Sequence, residues 1–146
     1  MTKDQTIDST SVQTGESIYQ FPNGLPGFEE FKTFRLEEHN EAFSLLSASE
    51  QPEVSFITVD PFQFRPEFEF RLTDDVIQLL RIENRNQVAV RCIVTWHSDR
   101  KRITVNFLAP IVLNLENHLG KQVVLHDTAY TTRDLLWTNS EESGES

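Results

Sequence analysis

The chain has 146 residues, of which 38% are hydrophobic and 10% aromatic, and its formal net charge is −10 at pH 7. This length and apolar content suit one globular domain with its own core and exclude a disordered chain. A single cysteine, Cys92, excludes an internal disulfide and suits a reducing compartment. The sequence shows neither a signal peptide nor an apolar membrane span, so we expect a cytoplasmic protein.

Half of the net charge lies near the two ends of the chain. Residues 1–16 carry −2 and residues 141–146, EESGES, carry −3. We expect a flexible N-terminal segment over 1–16, a folded domain over 17–137 and a disordered acidic tail over 138–146. The acidity is either ordinary solubility charge or a means of attracting a basic partner. Direct nucleic-acid binding is not expected, because phosphate contacts need clustered Lys and Arg side chains.

Short strands separated by turn residues dominate the chain and predict an all-β fold, a compact antiparallel barrel or sandwich. In EFEFRL, the even-numbered residues from Phe68 to Leu72 share one face, and VAVRCIVTW and RITVNFL alternate in the same way. We read each alternating pattern as a strand with one buried face. The predicted strands are Ser17–Phe21, Thr33–Leu36, Phe43–Ser47, Val54–Val59, 67–72, Val88–Trp96, Arg102–Leu108 and Gln122–His126.

The loop PNGLPGF, residues 22–28, holds two prolines and two glycines. Pro22 and Pro26 fix φ, while Gly24 and Gly27 permit positive φ, so the loop is rigid. It is expected to turn the first strand into the second and to bury apolar side chains, namely those of Leu25 and Phe28. Alternatively, a stiff loop with apolar tips could bind a partner at low entropic cost.

Five phenylalanines lie between residues 56 and 70, where DPFQFRPEF is bounded by Pro61 and Pro66. The main role of these rings is the core itself. Because proline cannot donate to a sheet ladder, this stretch is expected to lie at an edge and to leave some rings incompletely covered. An aromatic patch beside acidic side chains would suit a protein interface.

One segment breaks the strand pattern. TDDVIQLLRI has apolar residues at helical spacing, Thr73 or Asp74 as N-cap, and two aspartates that suit the positive end of a helix dipole. It predicts one short helix around residues 74–81. The strands that follow, joined by HSDRK, are expected to form an antiparallel hairpin.

Catalytic and metal-binding signatures are not found in the sequence. The histidines form no HxxxH or HExxH pair, no GxSxG or phosphate-binding glycine loop is present, and Cys92 is expected to be a small core residue. We therefore expect no enzyme activity, no cofactor and no metal. The four histidines are His39, His97, His118 and His126.

Three segments, in this order and spacing, resemble the flagellar assembly factor FliW family: FPNGLPGFEEFKTFRL, FITVDPFQFRPEFEFRL and NFLAPIVLNLENHLGKQVVL. The resemblance covers about Ser17 to Leu136, and LAPIVLN followed by GKQVVL is its most distinctive part. Residues Asp99–Arg102 depart from it, because the hairpin turn is more charged than the family pattern.

The resemblance implies a barrel-like fold and a non-enzymatic role in flagellated bacteria. Members of the family bind flagellin and also bind CsrA, a small RNA-binding translational repressor that they antagonise. While secretion keeps free flagellin low, the factor sequesters the repressor and flagellin is translated. When flagellin accumulates, it occupies the factor, and the repressor returns to the messenger.

These partners lead to two hypotheses about surfaces. A repressor that grips RNA carries basic surface, so an acidic protein is a plausible electrostatic counterpart. We place the repressor on the acidic residues between 67 and 75 with two neighbouring apolar anchors, and flagellin near NFLAP. The repressor set is Phe62, Phe64, Glu67, Glu69, Asp74 and Asp75, and the flagellin set is Asn106, Leu108 and Pro110.

A rival interpretation is a small β-barrel that encloses a ligand or performs hydrolysis. It predicts a deep pocket where polar and titratable side chains converge, whereas the family resemblance predicts a filled interior and an exposed binding patch. A monomer is expected, because no strand or helix offers a self-complementary stripe.

Overall fold

The structure, a computed structural model, describes residues 6–7 and 17–138. Most of the segment expected to be flexible, and the tail from residue 139 onward, lie outside the described residues. Thr6–Ile7 correct the expectation for residues 1–16, because they form a strand and Ile7 is buried in the core. Burial of the Ile7 side chain, worth roughly 1.5–3 kcal/mol, helps to hold this strand against the outer core.

The described residues form short strands, one α-helix and three single turns of 3-10 helix. The strands are β1 Thr6–Ile7, β2 Ser17–Gln20, β3 Thr33–Glu38, β4 Phe43–Ala48, β5 Ser55–Val59, β6 Phe70–Arg71, β7 Val88–Thr95, β8 Thr104–Val105, β9 Ile111–Asn114, β10 Leu119–Gln122 and β11 Asp134–Leu135. The helix α1 spans Asp74–Leu80, and the 3-10 turns span Pro61–Gln63, Arg85–Gln87 and Arg100–Arg102.

Seven of these strands close into a barrel in the order β7-β5-β4-β3-β2-β10-β9, and β9 pairs back onto β7. The pairs are antiparallel except β2 with β10, which are parallel. Strands β8 and β11 extend the sheet from β7, and β1 pairs with β6 apart from the barrel. The predicted all-β, barrel-like fold with one short helix is confirmed.

The apolar residues form two cores. One fills the barrel, and the other lies between the outer face of β7 and β9 and a layer made by residues 61–82 and 123–137. The barrel core contains Tyr19, Phe21, Leu25, Phe34, Leu36, Leu46, Ala48, Ala89, Ile111 and Leu113. The outer core includes Phe64, Phe68, Phe70, Leu72, Val76, Leu80, Val90, Cys92, Phe107, Val112 and Leu136.

Strand β7 is the wall between the two cores. Ala89 belongs to the barrel core, whereas Val90 and Cys92 belong to the outer one. The expectation of one buried face is therefore wrong for this strand, although its alternation was assigned correctly. A strand covered by a layer on each side buries both faces. Cys92 is fully buried, as expected, and burial raises the pKa of its thiol.

The 22–28 loop has the conformation that its glycines permit. Gly24 has φ +67° and Gly27 φ +85°, and a Cβ on Gly24 would lie 2.7 Å from Glu29 Cα. Leu25 is buried in the barrel core, and the half-buried Phe28 ring packs edge-on against Phe56 at 5.3 Å. The loop turns β2 into β3 and buries Leu25, as predicted, whereas Phe28 is only half-buried. Its binding of a partner stays a prediction.

The helix begins and ends where the sequence indicates. The Thr73 side chain accepts a hydrogen bond from the Val76 amide (3.4 Å), and Arg81 ends the helix in the left-handed region at φ 56°. The antiparallel hairpin of β7 and β8 is also confirmed. No helix in the described ranges has both the length and the apolar character needed to cross a membrane.

Three predicted strands are shorter or displaced. Of Arg102–Leu108, only Thr104–Val105 is a strand, because Arg102 belongs to a 3-10 turn. Only Phe70–Arg71 of the 67–72 segment is a strand, and β10 ends at Gln122. Beyond it, the amides of Val123 and Leu125 still donate to the carbonyls of Pro110 and Leu108, both at 2.8 Å. Residues 122–126 therefore alternate because their backbone is hydrogen-bonded to residues 108–110 on one side, although they do not form a regular strand.

Candidate protein-binding surfaces

The four acidic residues of the predicted repressor site are all exposed. Glu67 lies in a turn in which the Phe68 amide donates to the Arg65 carbonyl, and Glu69 lies between the buried Phe68 and Phe70, so both acidic side chains face solvent. Asp74 and Asp75 form the first turn of α1, where their charge also favours the helix. The chain therefore presents four carboxylates within nine positions on one outer layer; we call them the acidic surface.

The two aromatic anchors lie differently from what was expected. Asp60 accepts a hydrogen bond from the Phe62 amide (3.0 Å) and starts a 3-10 turn, which directs the chain inward after Pro61. Phe64 is consequently only 5% exposed, against Phe43 at 5.8 Å and Trp137 at 5.1 Å between ring centroids. Some of Phe62, Phe64 and Phe68 were expected to be incompletely covered: Phe62 is half-buried, whereas Phe64 and Phe68 are buried, so Phe64 is not a surface anchor.

A surface groove of about 350 Å³ adjoins the acidic surface. Glu69, Thr73 and Asp127 contribute polar walls, and Phe70 and Val124 contribute apolar ones. Val124 is among the most exposed large apolar side chains of the described residues. Arg71 and His126 also line the groove, so its polar edges carry both acidic and basic groups. A groove with apolar walls and such edges can accept an amphipathic segment of another protein.

Glu67 is electrostatically connected to the outer core. Burial raises the pKa of Tyr130, and the neighbouring Glu67 carboxylate raises it further. The Tyr130 ring packs against Phe68 and Phe107 at 5.1 and 5.3 Å. The carboxylate of Glu67 is thus close enough to Tyr130, a member of this aromatic cluster, to affect its ionisation.

The predicted flagellin site is less accessible than the acidic surface. Pro110 is buried, and its carbonyl accepts the Val123 amide. The half-buried Asn106 uses its side-chain oxygen to accept the Ala109 amide at 3.0 Å. Leu108 is half-buried beside the chain around Thr131, whose carbonyl accepts its amide. Of the three residues, Asn106 and Leu108 reach solvent, and Pro110 holds the turn beneath them.

A third surface was not proposed from the sequence. Arg100, Lys101 and Arg102 are all exposed at the 3-10 turn between β7 and β8, and Trp96 just before it is 57% exposed. The Arg100 guanidinium carbon lies 4.2 Å from the ring centroid of Trp137. The run RKR could have indicated a basic surface from the sequence, but Trp137, which packs under Arg100, lies far from it along the chain.

The barrel interior is filled by side chains rather than hollow. Its buried polar groups are paired: Arg91 bonds the Glu38 carboxylate, and the hydroxyls of Ser44 and Thr58 lie 2.6 Å apart. Within residues 6–7 and 17–138, no group of three or more His, Cys, Asp or Glu side chains is arranged to hold a metal ion.

Comparison with known proteins identifies the family. Residues 3–136 match the family described as FliW protein. A flagellar assembly factor FliW from Clostridium novyi is 41% identical over 84% of this chain and 87% of its own length. One from Desulfitobacterium hafniense is 36% identical over 97% and 94%. A crystal structure of the flagellar assembly factor FliW superimposes with a TM-score of 0.80 at 35% identity, covering 84% of this chain and 86% of that one.

These matches extend over the barrel, the outer layer and every surface described above. The segments on which the resemblance rests lie on the loop after β2 and on β3, on β5 and its connection to β6, and on β9 and β10, all parts of the closed barrel or its covering layer. The chain therefore belongs to the FliW family of flagellar assembly factors.

Proposed function

We propose that this protein is a partner switch that binds flagellin and the RNA-binding repressor CsrA, so that flagellin translation follows flagellin secretion. The family match over residues 3–136 is the observation that carries the proposal. A filled barrel with paired interior polar groups also suits a protein that acts through its outer surface. Both partners meet it in the cytoplasm, where flagellin is made and the repressor acts.

We assign the repressor to the acidic surface of Glu67, Glu69, Asp74 and Asp75. All four residues are exposed, so a basic protein can contact them, and the neighbouring groove supplies apolar contact area. Phe62 offers its exposed edge as an anchor, while the buried Phe64 supports the surface from below. Complementary charge raises the association rate and the salt sensitivity of such a complex.

Charge reversal tests this placement. Glu67→Lys with Glu69→Lys leaves the helix start at Asp74 and Asp75 intact, so the fold is preserved. Titration of CsrA by calorimetry is expected to show affinity reduced about tenfold, equivalent to about 1.4 kcal/mol, with a weaker salt dependence.

The matched control is Glu50→Lys with Glu53→Lys, two exposed carboxylates on the turn between β4 and β5. It makes the same change in net charge away from the acidic surface. If both double variants lose affinity equally, only the overall charge matters and the placement is wrong.

We assign flagellin to the surface around Asn106 and Leu108, with Pro110 as its buried support. Leu108→Ala removes apolar contact area without removing the Asn106 cap, so flagellin binding is expected to weaken while the fold persists. Ile18→Ala, at an exposed position on β2, is the control. Unchanged flagellin binding by Leu108→Ala would reject this surface.

A switch of this kind needs only a small difference in affinity. A tenfold preference corresponds to about 1.4 kcal/mol, and changes in flagellin concentration can do the rest. Adding flagellin to a preformed complex of the protein with CsrA is expected to release RNA-binding activity. A stable ternary complex in which CsrA stays unable to bind RNA would contradict the proposed exchange of CsrA for flagellin.

A further inference from the structure

The turn between β7 and β8 carries a positive charge unusual for this acidic chain. We call Arg100, Lys101 and Arg102 the cationic turn; all three are exposed, and they make up three of the 13 Lys and Arg residues. The Asp99 side chain accepts the Lys101 amide at 3.0 Å and so fixes the 3-10 turn. The backbone of the turn is thus held in one shape, and its three cationic side chains are exposed.

Aromatic rings lie on both sides of the cationic turn. Trp96 ends the strand that leads into it and is 57% exposed. Trp137 packs edge-on against Phe64 at 5.1 Å, and Arg100 covers its ring. These are the two tryptophans of the chain. Cations beside partly exposed indole rings form a surface suited to carboxylates on a flexible segment.

The C-terminal strand runs toward this surface. Strand β11 pairs antiparallel with β8, Leu135 opposite Thr104, and the Leu136 amide donates to the Ile103 carbonyl at 3.0 Å. Two residues beyond β11, the Trp137 ring lies beneath the Arg100 guanidinium, 4.2 Å from its central carbon to the ring centroid. The chain that follows Thr138 therefore leaves the described part of the protein alongside the cationic turn.

The sequence beyond Thr138 has the complementary charge. Residues 139–146, NSEESGES, contain Glu141, Glu142 and Glu145 and no Lys or Arg. Four residues of extended chain span at most about 14 Å, which is enough for Glu141 to reach the turn from Trp137. A segment tethered so closely acts at an effective concentration on the order of millimolar, so the bound state is populated even when the intrinsic affinity is weak.

We propose that residues 139–146, the acidic tail, bind the cationic turn of the same molecule and cover its aromatic surface. The tail is then an internal competitor for any acidic segment of another protein that approaches Trp96 and Arg100–Arg102. This inference does not depend on the partners proposed above, because it rests on the register, the charges and the tether.

The two tryptophans allow a direct test by NMR on the full chain. Glu141→Gln, Glu142→Gln and Glu145→Gln together remove the tail charge outside the described fold. We expect the Trp137 indole signal and the amide signals of the cationic turn to shift in this variant. About 0.5 M NaCl, with a Debye length of roughly 4 Å, should move the wild-type signals in the same direction.

A matched control is Glu30→Gln with Glu50→Gln and Glu53→Gln. These residues are exposed on loops at the far ends of β3 and β4, and they change the net charge equally. Their neutralisation should leave the tryptophan and turn signals in place. If the tail variant and the control give the same spectrum around the turn, the tail does not bind there and the proposal fails.

A charge swap distinguishes a specific contact from general acidity. Lys101→Glu with Arg102→Glu should abolish the response to tail neutralisation, while leaving Arg100 on Trp137. Adding Glu141→Lys and Glu142→Lys to that variant reverses both charges, so neutralising the tail should again shift the signals of the turn. Failure to restore the response would contradict direct pairing of the tail with the turn.

Binding in trans tests the competition. A chain that ends at Ser140 should bind a synthetic peptide of residues 139–146 at least ten times more tightly than the full chain does. Equal binding by the two chains would overturn the proposal. Wild-type signals that move with protein concentration would also overturn it, because they would indicate that the tail binds a second copy.

Discussion

The barrel interior and the layer on its outer face are both apolar, but different interactions hold them. In the barrel, each strand is hydrogen-bonded to a neighbour on either side around a closed ring. In the outer layer, β6, β8 and β11 contain two residues each. Phe68 there meets the rings of Phe62, Phe70, Phe107 and Tyr130 at 5.1–5.8 Å. The barrel thus has a backbone framework, whereas the layer depends on side-chain packing.

This difference matters for function because the acidic surface belongs to the layer. A region with few backbone hydrogen bonds opens locally at lower free-energy cost than a closed barrel. The layer can therefore adjust to a partner while the barrel keeps its shape. Three measurements test this contrast.

The largest expected effect is that of removing one central ring from each region. Phe34→Ala in the barrel and Phe68→Ala in the layer should each lower the free energy of unfolding by about 3–5 kcal/mol. Hydrogen exchange should separate them: Phe68→Ala should lose protection mainly over residues 61–82 and 123–137, whereas Phe34→Ala should lose it throughout. Uniform loss in both variants would show that the two regions unfold as one unit.

A smaller effect is expected where β10 passes the barrel core. A Cβ added to Gly120 would lie 2.7 Å from Phe21 Cζ and 3.0 Å from Leu113 Cδ2. Gly120→Ala should therefore lower the free energy of unfolding by about 1–3 kcal/mol, measured by urea denaturation. Gln20→Ala, at an exposed position of the adjoining β2, should change it by less than about 0.5 kcal/mol. If Gly120→Ala leaves the free energy of unfolding unchanged, the Phe21 and Leu113 side chains can move aside for the added methyl group.

The third effect is on reactivity and leaves stability unchanged. Cys92 is fully buried between β7 and the layer, and burial raises its pKa, so its thiol stays protonated in the folded protein. Reaction with a thiol reagent at pH 8 should be at least about 100-fold slower than in urea, because opening must come first. Phe68→Ala should accelerate it more than Phe34→Ala does at equal stability. The reverse order would contradict local opening of the layer.

Local features of the fold were predictable because they depend on neighbouring residues. The alternation in Val88–Thr95, the Thr73 cap and the glycines at 24 and 27 each specify a conformation from a few positions. Features that depend on distant partners were not. A period of two shows which residues share a face, but it does not show that β7 is covered on both faces.

The surfaces divide in the same way. Exposure of Glu67 and Glu69 is indicated by the alternation in the sequence, whereas burial of Phe64 depends on Phe43 and Trp137 from other parts of the chain. The pairing of Arg100 with Trp137 is equally non-local. Sequence patterns thus located the charged positions of a surface better than the aromatic ones. Burying an unpaired charge is costly, so charged side chains stay exposed whatever the tertiary packing.

The parallel contact of β2 with β10 has a consequence for synthesis. Gln20 and Leu119 lie near opposite ends of the domain, yet they are the residues that join these strands. While the ribosome is still making the chain, β2 has β3 on one side and an open edge on the other. That edge can recruit a foreign strand until residues 119–122 emerge. The nascent protein therefore depends on its last barrel segments for protection against misassembly.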